Sequence, residues 1–145
     1  MIKIICLGKI KEEYLKKLIS DYQKRISRYH RIEIIELNDS NDLKKEANDI
    51  LNHISNQEYV IALDIAGNTL SSIELAQKID KTFLNHSTIT FIIGSSYGLD
   101  ESIKKRANYR LSFSKLTFPH GLFRGMLLEQ IYRSFKILNN ETYHK

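Results

Sequence analysis

The chain has 145 residues and 17.0 kDa, 42% of them hydrophobic and 27% charged, which is one globular domain able to bury a core without disulfide or metal staples. Cys6 is the only cysteine, so neither an internal disulfide nor a thiolate metal cluster is expected; no apolar run reaches membrane-span length, and the lysine at position 3 argues against a signal peptide, which leaves the cytoplasm as the expected location. The net charge of +5 fits either a polyanionic partner or a merely solvated basic surface.

Ile2 to Leu7 is a β-branched apolar run ended by Gly8, the pattern of a strand buried on both faces, and Cys6 within it reads as core. From about Lys11 to Tyr29, Tyr14, Leu15, Leu18, Ile19, Tyr22, Ile26 and Tyr29 recur at helical spacing. Lys16, Lys17, Lys24, Arg25 and Arg28 fall on the opposite side, either solvated or set to meet phosphate. Ile32 to Leu37 alternates apolar and acidic residues as a half-exposed strand. Asn38 to Asp42 reads as turn and cap for a helix from about Leu43 to Ile54.

Tyr59 to Asp64 is a third strand, with Ile65-Ala66-Gly67-Asn68 expected to close it in a tight turn. Ser71 and Glu74 have capping-box spacing for a helix to about Leu84. Ile89 to Ile93 is the fourth strand, Gly94 to Asp100 a glycine-bearing loop, Glu101 to Ala107 a short helix, and Tyr109 to Ser112 the fifth strand. Pro119, the only proline, marks entry to a last helix of about Gly121 to Leu138. That helix is apolar over a wide surface, set either for a two-sided core or for a subunit contact, with Gly121 and Gly125 expected to loosen its start. The order β-α-β-α-β-α-β-α-β-α predicts an α/β fold: a mostly parallel sheet with helices on both faces and a ligand site beyond the carboxyl ends of its strands.

Phosphate-binding, dinucleotide and zinc motifs are all absent. The loops after Leu63, at Gly94 and from Phe113 to Phe118 follow three strands and converge if the sheet is parallel. The last of these alternates large apolar residues with hydroxyls, suiting either a ligand loop or a capped connection. The closing Tyr143-His144-Lys145 either frays or stacks on a base.

Leu63-Asp64-x-x-Gly67, Phe91 to Leu99, Leu111-Ser112-Phe113-Ser114-Lys115-Leu116-Thr117-Phe118-Pro119-His120, Leu128-Glu129-Gln130-Ile131-Tyr132-Arg133 and Tyr143-His144-Lys145 occur together and in order. In this the chain resembles the SPOUT class of RNA methyltransferases, within it the branch that methylates N3 of a pseudouridine in 23S ribosomal RNA. The resemblance implies a single SPOUT domain over residues 1–145 with a C-terminal trefoil knot, a homodimer, and S-adenosylmethionine as cofactor. It implies 23S rRNA in the assembled ribosome as partner, and no metal or membrane. Carried over position by position, the cofactor contacts fall on Leu63, Gly94, Phe113, Ser114, Lys115, Leu116, Thr117 and Phe118, and the target-nucleotide end on Arg133, Tyr143 and His144. Arg124 matches the arginine after the Pro-His pair. Ser95 stands where the family usually has glycine, and the segment Asn38 to Glu58 is shorter than is common. Ser95 is the one feature favouring a rival reading, a ribosome-binding or assembly protein that kept the fold without methyl transfer.

Overall fold

The first strand, β1 (Ile2–Leu7), is buried at every position and lies inside a five-stranded sheet ordered β2-β1-β4-β3-β5. The other strands are β2 (Ile32–Leu37), β3 (Tyr59–Thr69), β4 (Ile89–Ile93) and β5 (Tyr109–Ser112); β1 pairs with β2 and β4, and every pairing is parallel. A computed structural model describes all residues from Met1 to Lys145. The helices are α1 (Glu13–Ser27), α2 (Leu43–Leu51), α3 (Ser72–Phe83), α4 (Glu101–Arg106) and α5 (His120–Leu138). None is long and apolar enough to cross a membrane.

Alternation along the strands divides the core. Ile2, Ile4, Cys6, Ile61, Leu63, Phe91 and Ile93 face α1, α3 and α5, whereas Ile5, Leu7, Val60, Ala62 and Ile92 face α2 and α4. Burial pushes the Cys6 thiol up to about 11, so it stays a neutral packing group. Helix starts follow the expected chemistry. The Asp42 carboxylate accepts from the Lys44 and Lys45 amides, and Ser71 with Glu74 forms a reciprocal capping box.

Two expectations are corrected here. Residues 65–68 do not close the third strand: β3 runs on to Thr69, with a register shift between Leu63 and Asn68 against β5. Asp64 accepts from the Ala66 amide to shape the bulge, and a Cβ on Gly67 would lie 2.6 Å from the Arg110 carbonyl oxygen. Gly67 is therefore needed for close approach of two backbones, not for reversal.

The second correction concerns α5. Gly121 and Gly125 do not loosen it, because they are where α1 packs closest. A Cβ on Gly121 would stand 2.7 Å from Leu15 Cδ1, and one on Gly125 2.6 Å from Leu18 Cδ2. The helix propensity lost at each glycine, about 1 kcal/mol, is offset by this contact. Leu127, Leu128, Ile131, Tyr132 and Phe135 are consumed by the chain's own core between α1 and α3, so most of the wide apolar surface is accounted for within one subunit. Gly125→Val is expected to lower stability by about 2 kcal/mol through overpacking, and Leu18→Ala in the same chain to recover part of that loss. Urea midpoints of the four chains in the cycle measure it; equal losses with and without Leu18 would refute this packing account.

Candidate active site

Because all five strands are parallel, the bulge of β3 and the exits of β4 and β5 lie toward one end of the sheet, and together they wall a cleft of about 470 Å3. Leu63, Asp64 and Ile65 form one wall, Gly94, Ser95, Ser96, Gly98 and Leu99 the second, and Ser112, Phe113, Leu116, Thr117 and Phe118 the third. The start of α5 closes it with His120 and Phe123.

Each wall is shaped by local chemistry. A Cβ on Gly94 would sit 2.5 Å from the Gly98 carbonyl oxygen, so only glycine lets the loop fold back on itself. Gly98 donates to the Ser95 carbonyl at 2.9 Å and has φ +84°, which completes the turn. The Ser95 hydroxyl donates to Glu46 Oε1 at 3.0 Å, and Glu46, itself buried on α2, also accepts from the Ser40 amide at 2.7 Å. Ser95 thus fastens the loop to α2. Its hydroxyl also accepts from the Tyr97 amide, so both of its hydrogen bonds serve the local structure.

In the third loop the Ser112 hydroxyl donates to the Ser114 carbonyl and the Leu116 amide donates to Ser114 Oγ at 3.0 Å. Phe123 clamps the loop: Phe113 meets it edge-on at 4.9 Å, and Phe118 stacks on it at 5.9 Å. The structure brings Leu63, Gly94, Phe113, Leu116, Thr117 and Phe118 to the cleft wall, while Ser114 serves the loop's own hydrogen bonds and Lys115 is exposed outside it. Leu116, 71% exposed, stands on the rim of the cleft. Phe123 was missed as a site residue, since in the sequence it reads only as one more apolar position of the last helix.

Arg124 fixes where that helix begins. Only 3% exposed, it pairs with Glu36 at the end of β2 and donates to the Gly8 carbonyl at 3.1 Å, tying the entry of α5 to two strand ends.

A second cleft, about 340 Å3, adjoins the first through Leu111, Ser112 and Phe113 and is otherwise lined by α3 and α5, including Ser72, Met126, Glu129 and Gln130. The Ser72 hydroxyl donates to Gln130 at 2.7 Å, and Gln130 donates to Glu129 at 3.0 Å. Glu129 in turn accepts two parallel bonds from Arg133, from Nε and Nη2, each 3.0 Å. This pairing holds the Arg133 guanidinium firmly protonated.

Arg133 Nη1 donates to His144 Nδ1 at 3.1 Å, and its guanidinium lies 4.8 Å from the centre of the Tyr143 ring. Since Nδ1 accepts, the neutral imidazole carries its proton on Nε2 and offers a donor there. Burial, then the hydrogen bond with Tyr22 and the charge of Glu129, raise the Tyr143 phenol above its ordinary range, so it too stays protonated. The tail is held against the fold: Asn140, just past the end of α5, has φ 55°, Glu141 is held by Lys136 and Tyr29, and Tyr143 packs edge-on against Tyr132 at 4.9 Å.

The family described as "Predicted SPOUT methyltransferase" matches residues 1–144. The chain belongs to the SPOUT methyltransferase family. It is 49% identical to the ribosomal RNA large subunit methyltransferase H of Caldicellulosiruptor saccharolyticus, with 100% of both chains covered. It is 50% identical to the protein of the same name from Clostridium botulinum (strain Okra), with 99% of both covered. Among solved structures, a probable methylase family protein from Haemophilus influenzae matches with TM-score 0.60 at 12% identity, over 99% of this chain and 70% of that one. The SpoU methyltransferase AviRb from Streptomyces viridochromogenes in complex with AdoMet matches with TM-score 0.50 at 7% identity. That match covers 95% of this chain, which spans only 60% of the length of AviRb. These two likenesses speak to the SPOUT fold. The full-length relatives also align across the tail that carries Tyr143 and His144.

Proposed function

We propose that this SPOUT protein transfers a methyl group from S-adenosylmethionine to large-subunit ribosomal RNA, at N3 of a pseudouridine in 23S rRNA within the assembled ribosome. The observation that carries the reading is the contiguity of the two clefts: a three-loop cradle shares one wall with a polar cleft lined by Glu129, which Arg133 grips from behind. The cradle's volume lies in the range of small-molecule sites, and Gly94 lets the loop that walls it fold back on Gly98. Leu63, Gly94, Phe113, Leu116, Thr117 and Phe118 would hold the cofactor, whose sulfonium supplies an already activated methyl. The protein's part is alignment and exclusion of water.

Arg133, Tyr143 and His144 would hold the target nucleotide, the guanidinium toward phosphate or a base carbonyl and the tyrosine ring and imidazole beside the base. With its proton on Nε2, His144 acts as a hydrogen-bond donor rather than as the acceptor of the N3 proton. The order of the elements supports a trefoil knot, since after β5 at the sheet edge the chain returns to lay α5 between α1 and α3. The working particle is a homodimer in the cytoplasm, as its resemblance implies.

Purified protein with S-adenosylmethionine and ribosomes from cells lacking it is expected to yield one new methylated pseudouridine, located by mass mapping of the 23S rRNA. Light scattering of the same sample is expected to give twice 17.0 kDa. Absence of the methyl group would overturn the reaction, and a monomer at micromolar concentration would overturn the dimer.

A further inference from the structure

Residues 9–31 contain eight lysines and arginines against three acidic residues, a balance of +5 that equals the net charge of the whole chain; the other residues carry fourteen of each sign. The excess charge of this protein therefore resides on α1 and its two flanks. Partners on the surface neutralise part of it. Lys16 pairs with Glu13, and Arg25 pairs with Asp21 while lying over the rings of Tyr22 and Tyr132. Lys17, Lys24 and Arg28 are exposed and have no carboxylate partner.

Those three positions are seven and four residues apart, which puts them on one stripe of the helix opposite Leu15, Ile19 and Ile26, spanning roughly 16 Å. A groove beside the stripe is lined by Lys16, Lys17, Ser20, Asp21 and Lys24, with no apolar residue in it. The other basic run, Lys104 to Arg106 on α4, is largely occupied: Lys104 faces Glu101, and Arg106 donates to the Ser55 and Glu58 carbonyls. The same helix reaches the candidate active site from its inner face, where Tyr22 meets the Tyr143 hydroxyl at 3.4 Å.

We infer that the outer face of α1 is the docking surface for the RNA backbone, with Lys17, Lys24 and Arg28 each meeting a phosphate. This rests on the rRNA substrate proposed above and adds where its backbone lies. The occupant is a nucleic acid rather than a lipid surface because the groove offers charge and hydroxyl without apolar anchors. Flexible lysines in an open groove contact phosphate as point charges, so affinity is gained without base selection, which falls to the separate cleft at Glu129 and Gln130.

The test is steady-state methylation of unmodified ribosomes, with binding measured over a salt series, for a Lys17→Gln, Lys24→Gln, Arg28→Gln triple variant. KM is expected to rise on the order of tenfold or more, with kcat and cofactor affinity unchanged. The slope of log affinity against log salt should fall by about two to three. A Lys45→Gln, Lys105→Gln variant on the opposite face of the sheet is the control and should match the parent. An unchanged KM and slope would overturn the docking surface while leaving the reaction standing. A change in particle mass would overturn it as well, assigning the face to a contact between copies. Failure of the parent itself to methylate would instead count against the function proposed above.

Discussion

Replacing Arg133 with lysine is expected to lower kcat for ribosome methylation by about a hundredfold or more, which is about 2.7 kcal/mol of transition-state stabilisation. Charge is kept, so the loss reports geometry. Lysine cannot make the two parallel bonds to Glu129 while also donating to His144, and it has no plane to set beside the Tyr143 ring. The three groups that hold the target would lose their common frame. Cofactor affinity should stay within about twofold, because Arg133 lines neither cleft and reaches the second only through Glu129. If the lysine variant works at the parental rate, the nucleotide-holding role of Arg133, Tyr143 and His144 is wrong.

The opposite pattern is expected at Gly94. An alanine there places its Cβ 2.5 Å from a backbone oxygen and 2.9 Å from Leu99 Cδ2, and a carbonyl in a closed turn cannot swing aside as a side chain does. The loop must move, and the cleft wall moves with it. S-adenosylmethionine affinity should drop roughly a hundredfold, about 2.7 kcal/mol, measured by calorimetry. Unfolding free energy should fall less, by about 1 kcal/mol, since residues 94–98 of the turn belong to neither apolar core. An affinity within threefold of the parent would remove this loop from the cofactor site.

The two outcomes together separate the halves of the site. One variant would keep its cofactor and lose turnover; the other would lose the cofactor and keep its fold.

Much of this architecture was legible in the sequence because it rests on local rules. Continuous apolar runs at Ile2 and Ile89 become strands buried on both faces, and the caps at Asp42 and Ser71 lie where their side chains predict. What sequence reading missed was decided by partners distant in the chain. Gly67 and Asn68 carry turn chemistry, but pairing with Leu111 and Ser112 keeps the backbone extended there. The terminal tyrosine looked free because its partners, Tyr22 and Tyr132, lie 121 and 11 positions away and meet it only after α1 and α5 have packed. The site residues themselves came from the resemblance: periodicity ranks Arg133 no higher than Lys136.

The helix α5 carries the Phe123 clamp near one end and Arg133 toward the other, with Pro119 and Asn140 stopping it on either side. It therefore works as a ruler. From His120 to Arg133 its backbone advances roughly 20 Å, and one added residue between them would turn everything downstream by about 100°. Such an insertion would leave each half of the site intact and swing Arg133 off its side of the helix. Changes of length between β2 and β3 carry no such penalty, because nothing there sets a distance between the two clefts. Drift in chain length should therefore collect in that connection, while α5 is held to a fixed count of residues.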